Sequence, residues 1–188
     1  MNNKFNQLLV DTQRPGIDAL LDYLQNETDF YTAPASTNYH GANEAGLLEH
    51  SLAVYDHLQK LVPLYFDEWD ESTLCIVSLL HDVCKMNFYK TATRNVKNTQ
   101  TGIWEQVPYI TIDDQLPLGH GEKSVIILQR FIPLSIEEIM SIRWHMAGFD
   151  DAARQYGGGQ ALSLAMRKYP LITVLHMADL AAGLIEGM

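Results

Sequence analysis

Residues 71–85, ESTLCIVSLLHDVCK, read as one helix whose apolar run ends in His81, Asp82 and Lys85. Its start is marked by a cap residue at Asp70 or Ser72. A chain that drives a greasy helix to its core and finishes it with two potential metal ligands and a cation must satisfy those groups somewhere. A cation near a helix C-terminus suits the macrodipole, so the triplet by itself is compatible with an ordinary helix end. What decides is whether the rest of the chain supplies partners.

The remaining segments are mostly helical in pattern. Residues from about Lys4 to Asn26 are amphipathic and interrupted at Pro15-Gly16, which predicts two short helices. FYTAPASTNYHGANEAG, rich in small residues, Pro and Asn, reads as a long loop. GLLEHSLAVYDHLQKLV then places Leu47, Leu48, Ser51, Val54, Tyr55 and Leu58 on one helical face, with Pro63 as the expected stop. Residues 88–112 change character. FYKTATRNVK and IWEQVPYITI flank NTQTG, which is the signature of a β-hairpin, with Pro108 restricting the second strand to an edge. Helical periodicity returns over Gly119–Phe131, Ile136–Met146, Leu162–Lys168 and Leu171–Ile185, with AGFDDAARQYGGGQ expected as a mobile loop. The fold expected is an all-α bundle with one inserted hairpin, forming one domain over residues 1–188, since no linker, repeat or low-complexity tract divides it.

Thirteen basic and 23 acidic residues give a net charge of −10. That balance disfavours nucleic acid as a partner, because phosphate-backbone affinity comes from Lys and Arg. No run approaches the roughly 18 apolar residues of a membrane span, and the N-terminal stretch lacks the apolar core of a signal peptide. The expected location is therefore cytoplasmic. Cys75 and Cys84, the only cysteines, have no zinc-finger spacing, and packing is the expected role of each.

Partners for His81-Asp82 do exist. His50, His120, His145 and Asp179 each lie on a different predicted helix or helix edge. A bundle can turn such residues inward to one place, as helical metal proteins do. Imidazole and carboxylate together suit Mn, Fe, Ni, Zn or Mg. Four His and two Asp exceed the needs of one ion. Two ions about 3.5–4 Å apart, sharing one Asp, would clamp both oxygens of a phosphoryl displacement and generate hydroxide near neutral pH.

The order His…His-Asp…Asp resembles the HD-domain phosphohydrolase superfamily, all-helical metal enzymes acting mainly on phosphoester bonds. The similarity covers roughly residues 38–183 and rests on YHGANEAGLLEHSLAVY, SLLHDVCK, LGHGEKS, IRWHMAGFD and LHMADLAA. The additional His120 and His145 resemble the two-metal subgroup that includes HD-GYP phosphodiesterases and diadenosine-tetraphosphate hydrolases. GLLEHS also resembles the HD module of a bacterial 3′–5′ exoribonuclease, whose nucleic-acid-binding domain has no counterpart here. The resemblance implies that His50, His81, Asp82 and Asp179 hold one ion and that His120 and His145 complete a second, with Asp82 bridging. It implies that Lys85 steadies a phosphate. Cys84 departs from the Gly that relatives usually carry, and no GYP triplet is present, so cyclic-di-GMP is not implied.

Around that core, Lys123 (three residues after His120), Arg94 on the hairpin and His40 in the long loop are candidate substrate contacts. Lys97 and Arg143 are weaker candidates for the same role, Arg143 facing away from His145 by its spacing. Tyr89, Trp104 and Tyr109 could stack a base or simply pack across the strands. His57, about 10 Å along its helix from His50, is too far to share an ion. His176, three residues before Asp179, suits a hydrogen-bonded supporting role. The expected function is metal-dependent hydrolysis of a small phosphorylated substrate, a nucleotide by preference, with catalysis centred on Asp82 and Lys85. An HD-type nuclease and a non-enzymatic nucleotide- or metal-binding sensor are the rivals. Oligomeric state is left open.

Overall fold

The computed structural model describes residues 1–36 and 43–184. Its elements run α1 (Asn2–Asp11), α2 (Ile17–Asn26), α3 (Gly46–Tyr65), α4 (Glu71–Leu80), β1 (Tyr89–Lys97), β2 (Trp104–Ile112), α5 (His120–Leu128), α6 (Ile136–Trp144), α7 (Asp151–Arg154), α8 (Gly158–Lys168) and α9 (Leu171–Leu184). Two single 3₁₀ turns, Val83–Lys85 and Ala147–Phe149, follow α4 and α6. The chain is thus mostly helical with one antiparallel hairpin, as the periodicity predicts.

Helix α4 is the centre. Every residue from Leu74 to Leu80 is buried, so past its first turn this helix has no solvent face, the pattern of a helix surrounded on all sides. Asp70 caps it, its side chain accepting from Thr73 N at 2.9 Å. Around it pack α1, α3 and α6, while α3 also packs on α9 and α5 on α6. The apolar cluster joins Phe5, Leu9, Leu24, Phe30, Leu48 and Leu58 to Ile76, Leu80, Leu128 and Leu175. Burying a full Leu, Ile or Phe side chain contributes roughly 1.5–3 kcal/mol, so this cluster is the main force that holds the helices' inner ends together.

Helices α5 and α6 approach unusually closely. A Cβ on Gly121 would lie 2.2 Å from the Arg143 carbonyl oxygen, so only glycine allows that spacing. The contact matters because it sets the start of α5, which carries His120, against the end of α6, which carries His145.

The hairpin strands pair from Tyr89↔Ile112 to Lys97↔Trp104. Pro108 sits opposite Thr93 without breaking the ladder, since both strands of a two-stranded sheet are edges. The turn between them is closed by Asn98, whose side-chain oxygen accepts from Gln100 N and Thr101 N.

Helices α5 and α6 end two or three residues early, at Leu128 and Trp144, and three further departures from expectation bear on the fold. Helix α3 runs two residues past Pro63 to Tyr65. Proline removes one intrahelical hydrogen bond, and the Phe66 N–H to Val62 carbonyl bond still closes the final turn. Gly157–Gly159 is not a mobile loop. Gly157 is the N-cap of α8, and Gly158 and Gly159 form its first turn. The segment before it is organised as well, because Asp150 caps α7 by accepting from Ala152 N. Finally, α4 stops at Leu80 rather than continuing to Lys85, with consequences for the site. Among the described residues, no helix is long and apolar enough to cross a membrane.

Candidate metal centre

The end of α4 is where the chain departs from helical geometry. His81 is the C-cap, Asp82 takes φ −108° and ψ 17°, and the backbone tightens into the 3₁₀ turn Val83–Lys85. Neighbours on a regular helix point about 100° apart. The break at Asp82 lets two consecutive side chains serve one cluster, which a helix continuing to Lys85 would not.

His145 repeats the device. It is the C-cap of α6, as His81 is of α4. His81 Nδ1 lies 2.8 Å from the Ser78 carbonyl and His145 Nδ1 lies 2.7 Å from the Ile142 carbonyl. A carbonyl only accepts, so each Nδ1 carries the proton and each Nε2 keeps its lone pair. The last carbonyls of a helix lack intrahelical donors, and these rings supply them. Both Nε2 atoms are buried and, among the described residues, have no hydrogen-bond partner.

They face two carboxylates. Asp82 Oδ1 lies 2.7 Å from His120 Nε2 and 3.5 Å from His145 Nε2. Asp82 Oδ2 lies 3.5 Å from His81 Nε2, 3.7 Å from His50 Nε2 and 2.7 Å from Lys85 Nζ. Asp179 Oδ1 lies 3.0 Å from His50 Nε2 and 3.9 Å from His81 Nε2. The two oxygens of Asp82 therefore address two different histidine pairs, His120/His145 and His50/His81. Helices α3, α4, α5, α6 and α9 or their ends each contribute at least one of these groups.

Electrostatics sharpen the picture. Burial pushes His81 down to about 4, against the pull of Asp82. Burial also resists ionisation of Asp82, but Lys85, His81 and His120 hold its carboxyl well below the usual range. Asp179 is likewise depressed, its burial outweighed by the hydrogen bond from His50 and by nearby histidines. At His120 burial disfavours the charge, yet Cys84 and Asp82 beside it lift the ring to about 10. His81, neutral with an orphaned Nε2 beside ionised carboxylates, is in the protonation state a divalent cation requires of its ligands, whereas His120 gives up its proton to bind one. The donor set fits a divalent metal. His50, His81 and Asp179, and likewise His81, Asp82 and His145, bring ligand atoms within 4.8 Å of one another.

These shifts predict how the metal-free protein responds to acid. His81 binds a proton less readily folded than unfolded, so its contribution is complete above about pH 6.5 and is lost as pH falls through about 4. The expected loss is on the order of 3 kcal/mol over that window. Denaturant titrations of metal-free protein at pH 7, 5.5 and 4.5 read it, and a flat profile would show that His81 is not held neutral. The depressed carboxylates act at lower pH still.

The cluster opens to two hollows that share Met146 and Phe149. One, of about 330 Å³, is lined by Lys85, His176, Asp179, Leu180 and Leu184. The other, of about 550 Å³, lies beside His120 and carries Glu122, Asp150 and Asp151. His176 donates from Nδ1 to the His145 carbonyl at 2.7 Å, so it steadies the turn that holds a cluster residue.

The structure thus brings together His50, His81, Asp82, His120, His145 and Asp179, with Lys85 at their edge. It does not bring the other candidates. Lys123 is buried, but its ammonium pairs with Asp114 and sits 4.7 Å over the Phe88 ring, facing a separate hollow with Met86 and Arg130. It lies three residues after His120, yet its charge is taken by Asp114, away from the cluster. Arg94 is exposed on β1, 5.4 Å over the Tyr109 ring, and lines neither hollow of the cluster. Trp104 is exposed too. Arg143 is occupied by Glu122 and Asp150. His40 lies outside the described residues. Met146, Phe149 and Cys84 are the neighbours that spacing alone passed over. For Cys84 a signal was present, its place two residues after Asp82.

Comparison with protein-family models, curated proteins and solved structures gives no match.

Proposed function

We propose that the protein is a metal-dependent phosphohydrolase of the HD-domain type, cleaving a phosphoester of a small phosphorylated molecule, with a nucleotide as the favoured class. The observation that carries this reading is Asp82, a buried carboxylate whose two oxygens face separate pairs of histidines, two of whose nitrogens have no hydrogen-bond partner among the described residues. In it, His50, His81, Asp82 and Asp179 hold one divalent ion, and Asp82, His120 and His145 hold another. When bound, the ions supply Lewis-acid polarisation of phosphoryl oxygens and a water acidic enough to serve as nucleophile.

The chain's own groups do the rest. Lys85, paired with Asp82 at 2.7 Å, lines the hollow, where an ammonium stabilises added negative charge more strongly than in water. Met146, Phe149, Leu180 and Leu184 exclude water and offer an apolar wall to the body of the substrate. Glu122, Asp150 and Asp151 beside His120, with the net charge of −10, disfavour a long polyanion. That weighs against a nuclease.

The test is to strip the protein with chelator, reload it with Mn, Fe, Ni, Zn or Mg, and assay nucleoside monophosphates, simple diesters and oligonucleotides. Metal-dependent turnover of the small substrates and none of oligonucleotides is expected. Loaded protein that binds nucleotides yet turns over none of them would favour the sensor and overturn the proposal. Lys85→Met is expected to lower kcat/KM about 10²-fold with metal content unchanged, the size seen when one electrostatic contact to developing charge is lost. Unchanged kcat/KM would remove Lys85 from the reaction.

A further inference from the structure

The two cysteines occupy different chemical settings. Cys75 is buried within α4, 3.9 Å from Glu71, and burial with that carboxylate pushes its thiol up to about 12, as suits a packing residue. Cys84 is 3 % exposed but sits in the 3₁₀ turn directly after Asp82. Its backbone N–H donates to Ser124 Oγ of α5 at 3.3 Å, four residues along from His120, which ties the turn to that helix. Asp82, Cys84 and His120 each offer a ligand atom, all within 4.8 Å of one another. A fourth group points the same way. His145, fully buried, aims its unpartnered Nε2 at Asp82 Oδ1, 3.5 Å away, the same oxygen that His120 Nε2 reaches at 2.7 Å. His120 Nε2 and His145 Nε2 thus meet one oxygen of Asp82, and the Cys84 sulfur belongs to the group that Asp82 and His120 form. On the other side His50, His81 and Asp179 offer nitrogen and oxygen alone.

We propose that Cys84 is a metal ligand, and that it makes the ion position on the His120–His145 side thiophilic. The inference rests on the metal-centre reading above and adds to it a sulfur and an asymmetry. On coordination the thiol gives its proton to solvent and the sulfur binds as thiolate. Soft sulfur favours Zn and its spectroscopic surrogate Co over Mg and Mn, whereas the His50–His81–Asp179 side has no such preference. The two positions would then differ in metal choice, and Mg or Mn alone would fill the sulfur-bearing one poorly.

Full-length protein, stripped with chelator and reloaded with Co(II), decides it by two readouts: ions per chain and the near-ultraviolet thiolate-to-Co(II) charge-transfer band. The expected result is bound Co(II) with the band present in wild type and in Cys75→Ala. In the latter, Cys84 is the only cysteine left to give it. Cys84→Ser is expected to lose the band and to bind Zn at least about tenfold more weakly at one position, leaving the other ion in place. Bound Co(II) without the band in wild type, or a band that survives Cys84→Ser, overturns the role of Cys84 and leaves the metal centre standing. No bound ion in any variant overturns both.

Discussion

Asp82→Asn is expected to abolish metal-supported turnover, by at least about 10³-fold, and to remove bound metal. Losing one electrostatic stabiliser of a transition state costs roughly 10²–10³ in rate. Asp82 is more than one. Its Oδ1 faces His120 and His145, its Oδ2 faces His50, His81 and Lys85, and an amide supplies neither the charge nor a second acceptor. The substitution has the same shape, so it removes charge and little volume. It also leaves two cations, Lys85 and His120, without the carboxylate 2.7 Å from each, so the variant is expected to be less stable as well as inactive. Metal content and circular dichroism on the same preparation separate the two effects. A folded Asp82→Asn that keeps full metal content and full turnover would remove Asp82 from the mechanism.

Arg14→Ala is expected to lower stability by about 3–5 kcal/mol, although it lies far from the cluster in sequence and makes no contact with it. Glu138 is completely buried. Arg14 meets it with two parallel bonds, Nη1 to Oε1 at 2.7 Å and Nη2 to Oε2 at 2.9 Å, and also donates to the Pro133 carbonyl at 2.7 Å. Glu138 is at the same time the third residue of α6 and closes a capping box with Ser135, while Thr73 Oγ1 of α4 donates to it at 3.2 Å. One carboxylate therefore ties the α1–α2 connection to the starts of α4 and α6, the helices whose far ends present His81 and His145. Removing the guanidinium leaves a buried charge with only neutral donors. Adding Glu138→Gln to Arg14→Ala should recover part of the loss, since the amide needs no counter-ion. A denaturant midpoint that Arg14→Ala leaves unmoved would mean that the Arg14–Glu138 pair does not hold the fold together.

Much of this architecture could be read from local chemistry. The Pro15-Gly16 break, the hairpin at Tyr89–Ile112 and the helical periods depend on propensity and turn residues close in sequence, and the structure has them where the pattern put them. Readings failed where side-chain contacts, not composition or period, decide. The end of α4 at Leu80 belongs to a ring that returns to the Ser78 carbonyl, and periodicity has no sign for it. Gly157–Gly159 looks like a loop by composition but lies at the start of helix α8. The six cluster residues were legible as ligand types spread over different predicted helices or helix edges, in an order that resembles a known family, although Asp179 lies in the interior of α9. The walls of the hollows were not, because nothing in the sequence distinguishes Met146 and Phe149 from any other apolar residue. Lys123 shows the limit most plainly. It lies three residues after His120, yet a single carboxylate, Asp114, pairs with its charge beside another hollow.

The most direct test of the two-ion centre is metal content per chain by plasma mass spectrometry. It is made on protein purified without chelator or histidine tag, with His120→Ala beside it. About two ions per chain, falling towards one in His120→Ala, is the predicted result. No ion in either, even after reloading with Mn, Fe, Ni and Zn, would contradict the metal centre and with it the proposed hydrolysis.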